Sequence, residues 1–247
     1  KVSWVGDLMA SRWAYEALAV YQYTQNDFIK PTFELETKLR TITFEKDFWS
    51  VEIQNEIQKG KEGNLSNSEL LRLQNELEKR KEQPEFQNFN FQGGVINFSE
   101  LGELVTAYSN RLTMDYLQVN EAIQNWIANQ TDTPEKKEAY KAIQNTQNNE
   151  SLEEFVTSKN DLKKIIVTES EIVRKGNPIY FMPSSETSLL ASHFYAPQKN
   201  AFGSKWFTPW INVLVLWLMT LILSLALLLD LLPQLFRLLS SRRARSK

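Results

Sequence analysis

The sequence predicts an all-α protein: an amphipathic N-terminal helix, a helical domain outside the cytoplasm and one C-terminal transmembrane helix. Three observations carry this expectation. Residues 210–229 run for twenty positions without a charge. At about 1.5 Å per residue such a helix spans about 30 Å, the thickness of a bilayer's hydrocarbon core. Between residues 31 and 160 apolar side chains recur at helical spacing, with solvated Gln and Asn faces between them. The charges are also unevenly placed. Arg237, Arg242, Arg243, Arg245 and Lys247 follow Pro233 with no acid among them, whereas residues 1–209 hold twenty-three Lys and Arg against twenty-nine Asp and Glu. Basic residues collect on the cytoplasmic side of a span, so the tail is expected in the cytoplasm and residues 1–209 on the far face of the plasma membrane.

Taken in order, residues 1–30 form the first part. Asp7 or Ser11 is a candidate cap for a helix to about Gln25. Trp13, Ala14, Ala17, Leu18 and Tyr21 form its apolar stripe, and Arg12 and Glu16, four apart, can pair. The segment is too short and too charged to cross a bilayer. It suits the interface or the outer leaflet, with its polar residues against protein.

Residues 31–205 are the helical domain. Pro31 ends the first helix. A long helix from Thr32 to about Lys59 follows, with Leu35, Leu39, Ile42, Phe48, Val51, Ile53 and Ile57 on its buried side and Gly60 and Gly63 at its end. Residues 68–82 give a second helix through Leu70, Leu71, Leu73 and Leu77. Residues 84–97, with Phe86, Phe89, Phe91 and the Gly93-Gly94 turn, read as an irregular crossover. Ser99 and Glu103 suggest the start of the strongest helix, to about Asn129, with Leu101, Leu104, Val105, Tyr108, Leu112, Tyr116, Val119, Ile123 and Trp126. Thr133 before Pro134 marks another N-terminus. A short helix covers 151–158. Residues 162–173 are open between helix and strand, 176–183 read as loop or short strand, and 192–203 as an extended connector.

Residues 206–234 are the span with its flanks. Trp206, Phe207 and Trp210 stand where an interfacial aromatic belt forms, and Asp230 marks the other boundary. Residues 235–247 are the basic tail. One C-terminal span cannot readily export two hundred preceding residues, so the sequence is expected to be the C-terminal piece of a larger membrane protein whose earlier spans carry this part outside.

Composition narrows the chemistry. There is no cysteine, hence no disulfide framework or thiolate metal site. A net charge of −2 argues against nucleic acid as a partner. The phosphate-cradling patterns G-x-x-x-x-G-K-[ST] and G-x-G-x-x-G are absent. His193 is the sole histidine, and no catalytic constellation surrounds it in sequence. No enzymatic role and no cofactor is expected of this chain.

The stretch SRWAYEAL, residues 11–18, resembles the S-R-[WY]-A-[FY]-E-A-L motif of G-subfamily-like ABC exporter permeases. The segment HFYAPQKNAFGSKWF and the Trp-rich span ending LLLDLL are similar to the end of large Bacteroidetes-type ABC transporters that fuse ATPase and permease. Together these segments cover roughly a quarter of the chain. The resemblance implies a re-entrant helix above the translocation path, with Ser11, Arg12, Trp13, Tyr15 and Glu16 at its lid. It implies the last transmembrane helix of a permease, and partners in membrane lipid, in the other spans and ATPase domain of the same protein, and in a second copy as a homodimer. ATP and Mg are expected only at that ATPase domain. The loop from Tyr21 to Phe207 is far longer than the external loop of typical members, so its role is not implied by the motif. The alternative is an anchored helical domain that binds an envelope or cell-wall partner without transport.

Overall fold

The computed structural model describes residues 4–89, 96–183, 189, 192–201 and 203–229. In chain order the helices are α1 (Trp4–Asp7), α2 (Ala10–Gln25), α3 (Phe33–Phe44), α4 (Ser50–Lys61), α5 (Asn67–Glu78), α6 (Phe98–Gln130), α7 (Pro134–Gln147), α8 (Glu150–Thr157) and α9 (Thr208–Leu228). The strands are β1 (Ile165–Val167), β2 (Ile172–Arg174), β3 (Gln198–Ala201) and β4 (Ser204–Phe207). The fold is mostly helical but not all-α. Two short antiparallel hairpins, β1–β2 and β3–β4, occupy the open segment 162–173 and the end of the connector. Ile165, Ile166, Val167, Ile172 and Val173 are β-branched, which favours a pleated strand over a helix.

The chain divides into two compact units, Lys1–Gln22 with Met182–Lys247, and Tyr23–Phe181. In the second unit α3 runs into α4 through a π-helical turn, Glu45–Trp49. The π turn inserts a residue, so the buried face shifts across it. Trp49 is thereby fully buried, while Val51, expected inside, is 48% exposed. Leu39, Ile53 and Ile57 are buried as expected. Gly60 lies within α4 rather than ending it, and a Cβ there would stand 2.4 Å from the Phe98 ring. Gly63, at φ +74°, takes the left-handed turn after the helix.

α5 starts one residue earlier than expected and ends at Glu78. A capping box fixes its start: Ser66 accepts from the Glu69 amide and Glu69 accepts from the Ser66 amide. Leu73 and Leu77 are buried, but Leu71 is half-exposed because Arg72 and Glu76 take the inward positions. The crossover is a run of turns as far as Phe89, with Phe86 buried; Phe91 and Gly93-Gly94 lie outside the described residues. The cap of α6 is Asn97, which accepts from the Glu100 amide, rather than Ser99. Thr133 caps α7 as expected. Trp49, Ile53, Ile57, Leu73, Leu77, Phe86, Leu101, Val105, Tyr108, Leu112 and Ile172 form one core.

Buried polar groups brace that core. Arg80 holds Glu45 through Nε and Nη2 at 2.7 and 2.8 Å and Glu76 through Nη1 at 2.8 Å. Its guanidinium lies 3.9 Å from the Trp49 ring, whose Nε1 donates to Glu76. Such groups are tolerated in a core because each is paired.

In the first unit α2 starts at Ala10, so neither Asp7 nor Ser11 is its N-cap; Asp7 instead closes the short α1. The connector's hairpin leads directly into α9, whose Thr208 amide donates to the Pro197 carbonyl at 2.9 Å. Tyr195 and Lys199, grouped above with the helical domain, bond to α2, and Pro197 bonds to the start of α9. α9 is long and apolar enough to cross a membrane, and only 11% of its apolar window is buried.

Candidate functional site

The site is in the first unit and is built on Glu16. The inward face of α2 within this unit consists of Trp13, Glu16, Ala17, Ala19 and Val20, while Tyr15, Leu18 and Tyr21 point outward at 49–69% exposure. The expected stripe is thus corrected: Leu18 and Tyr21 leave it and Glu16 enters it. A carboxylate displaces leucine from an inward position because it has charged and polar partners there.

Those partners come from two other elements. Lys199, on β3, donates from Nζ to Glu16 Oε2 at 2.6 Å. Asn212, one turn into α9, donates from Nδ2 to the same oxygen at 2.9 Å and to the Trp13 carbonyl at 3.1 Å. Its Oδ1 accepts from Lys199 at 3.3 Å. Glu16 Oε1 accepts from the Tyr195 amide at 3.2 Å. Glu16, Lys199 and Asn212 are all 0% exposed. The Lys199 ammonium also sits 4.9 Å from the Trp13 ring, a cation–π contact in a dry site.

Local geometry explains how these groups converge. Tyr195 has φ +70°, a left-handed conformation that costs a non-glycine residue about 1–2 kcal/mol. The strained turn presents its amide to Glu16. Thr208 donates from its hydroxyl to the Ala196 carbonyl at 2.5 Å, closing the hairpin onto the start of α9. Burial lowers the Lys199 pKa from its usual value, and the Glu16 carboxylate opposes that shift. Burial, then the hydrogen bond with Tyr15, pushes the Tyr195 phenol above its usual value.

The other motif residues take separate places. Arg12 pairs with Asp7 at 3.0 Å, not with Glu16. The reason is orientation, since Glu16 faces inward to Lys199. Arg12 also stacks 4.3 Å from the Trp13 ring and 5.7 Å from Phe194. Trp13, 2% exposed, donates from Nε1 to the Asp7 carbonyl at 2.9 Å. Tyr15 meets Tyr195 edge-on at 6.3 Å, and Ser11 is exposed. Of the aromatic belt, Trp206 and Trp210 are 46% and 64% exposed and Phe207 is half-buried. Asp230, Arg237, Arg242, Arg243 and Arg245 lie outside the described residues. The motif therefore brings Arg12, Trp13 and Glu16 into one cluster.

Sequence reasoning missed Lys199, Asn212 and Tyr195. Asn212 left a signal: it is the one carboxamide in residues 210–229, and a buried carboxamide must find partners. The chemistry of the arrangement is that of a lock. One carboxylate receives three donors from the turn, the hairpin and the apolar helix, and the charges cancel. No group of three or more His, Asp or Glu side chains suited to a metal ion occurs among the described residues.

No family model, curated protein or solved structure matches this chain.

Proposed function

We propose that the chain is the C-terminal permease segment of an ATP-driven ABC exporter of the G-subfamily-like type. In this reading α9 is the last transmembrane helix, α2 is the re-entrant helix near the exit of the translocation path, and unit Tyr23–Phe181 is a large external domain. The tail is cytoplasmic. ATP and Mg act at an ATPase domain elsewhere in the same protein, and two permease units form a homodimer in the plasma membrane.

The observation that carries the reading is the grip on Glu16. The glutamate of the permease-like motif is fastened to the first turns of the apolar helix and to the hairpin between them. A buried ion pair stripped of one partner loses about 3–5 kcal/mol, so α2 and the start of α9 move together or pay that penalty. That is the mechanical property required of an exit lid coupled to its own span. The outward Tyr15, Leu18 and Tyr21 suit contact with lipid or neighbouring spans.

The test uses the full-length protein in its native membrane and in proteoliposomes. The exporter reading requires Mg-dependent ATP hydrolysis by the wild type. Glu16→Ala should depress coupled hydrolysis while leaving ATP binding unchanged. Protease added to intact spheroplasts should cut unit Tyr23–Phe181 and spare the arginine-rich end. A wild type with no ATP hydrolysis, or a tail cut from outside, contradicts the proposal.

A further inference from the structure

Away from the Glu16 lock, unit Tyr23–Phe181 holds a cationic cavity. It has a volume of 170 Å³ and lies between α3, the start of β1 and the end of β2. Arg40, Lys164 and Arg174 line it, with Phe44 and Phe48 as apolar walls, and none of the lining side chains is acidic.

Arg174 is the unusual member. It is 9% exposed and forms no ion pair among the described residues. Its Nε donates to the Gly176 carbonyl at 3.2 Å, but Nη2 is buried without a hydrogen-bond partner. The guanidinium is flanked by the Phe181 and Phe44 rings at 4.5 and 5.6 Å. Glu45, the acid that acts on it electrostatically, is already held by Arg80 and by the Tyr108 hydroxyl. Elsewhere in this unit buried cations are matched: Arg80 has Glu45 and Glu76, and Arg72 has Glu56. A buried cation lacking its anion is costly, and the other two basic residues of the cavity add to the positive field.

We propose that this cavity binds a compact oxyanion, a phosphate group or a carboxylate, with Arg174 as its buried anchor and Arg40 at its side. A guanidinium fork fits both groups in a two-point contact. Size sets the class. Drug-sized ligands occupy about 300–1,000 Å³, and a water takes about 30 Å³ of liquid, so the cavity holds an oxyanion with its near neighbours but not a nucleotide. Burial lowers the Arg174 pKa to about 10, which leaves it cationic at neutral pH. Glu36, 3.3 Å from Arg40, is the internal competitor for that arginine. This site does not depend on the exporter reading.

The experiment is calorimetric titration of the full chain in detergent with inorganic phosphate and with acetate, against sodium chloride at matched ionic strength. Saturable uptake of one of the two oxyanions, absent with chloride, is expected. Phosphate alone would assign a phosphate group; acetate alone would assign a carboxylate. Arg174→Gln should weaken binding ~10-fold or more, the loss of about one charge-assisted hydrogen bond. Arg40 is exposed, so Arg40→Gln keeps the fold and tests the site if the Arg174 variant does not fold; it should weaken binding several-fold. Glu36→Gln should strengthen it. No saturable uptake of either oxyanion, or equal uptake by wild type and the Arg40→Gln variant, would overturn the proposal.

Discussion

Replacing Glu16 by glutamine keeps the shape of the side chain and removes its charge. The consequences follow from the contacts at its two oxygens. Oε1 can still accept from the Tyr195 amide. Where Oε2 accepted from Lys199 and Asn212, an NH2 group now faces two donors. Lys199 is left as a buried ammonium with only Asn212 Oδ1 and the Trp13 ring. Breaking one side of a buried pair costs about 3–5 kcal/mol. Lys199→Met should cost less, because Glu16 keeps the Asn212 and Tyr195 donors. The double variant has no buried charge and should recover most of the loss, so the coupling energy should be about as large as the Glu16→Gln loss itself, about 3 kcal/mol or more. A chain of two units need not unfold in one step, so the readout must be local. Native-state hydrogen exchange of the α2 amides is suitable. A loss of about 3 kcal/mol appears there as ~150-fold faster exchange, at about 1.4 kcal/mol per tenfold. Single variants within about 0.5 kcal/mol of wild type, or losses that simply add in the double variant, would refute the lock.

Four further outcomes are expected. Asn212→Leu should speed α2 exchange by an amount equivalent to about 1–3 kcal/mol, since the Trp13 carbonyl and Glu16 each lose a donor; wild-type exchange rates would contradict this. Arg80→Met should abolish cooperative melting of unit Tyr23–Phe181, because Glu45 and Glu76 lose their shared cation; circular dichroism would show a broadened transition. Gly60→Ala should lower the melting temperature despite the better helix propensity, through its clash with the Phe98 ring, and Phe98→Leu should partly restore it. Lys59 and the Ser66 cap depress Glu69 from its ordinary 4.5 to about 2. A depressed carboxylate stabilises the fold above its unfolded pKa, so the cap's contribution is full above pH 4.5 and is lost as pH falls through about 2. Carboxyl chemical shifts should report that midpoint, and Ser66→Ala should raise it.

Much of the helical scaffold was legible because its signals are local. Thr133 before Pro134 marks a cap that needs no tertiary information, and the period from Leu101 to Ile123 fixes the inner face of α6. The errors fall where non-local contacts decide. The π turn at Glu45–Trp49 rotates the buried face and puts Trp49 inside and Val51 outside, although a single 3.6-residue period fits the sequence on both sides. Leu71 loses its inward place to Arg72 and Glu76, whose partners Glu56 and Ile172 lie 16 and 96 positions away. The β1–β2 hairpin is three residues per strand, too short for its alternation to stand out.

The same distinction separates the two halves of the candidate site. The motif half could be found from eight adjacent residues, but its glutamate reads as a solvated helix charge until Lys199 and Asn212 arrive from 183 and 196 positions away. The apolar helix supplies the remaining step. Thr208, Ile211 and Asn212 are buried, and half-buried positions continue at Val215, Leu216 and Met219, whereas Trp210, Trp217, Leu221, Ile222 and Leu223 are 57–72% exposed. An exposed apolar surface of this size suits contact with lipid or with further helices. The polar end of α9 therefore marks the side on which protein stands. Sliding α9 past α2 by one turn, about 5.4 Å, would remove Asn212 from both Glu16 and the Trp13 carbonyl. The contacts at Glu16 therefore hold α2 and the start of α9 in one bonded arrangement, and loss of Glu16 should weaken that hold.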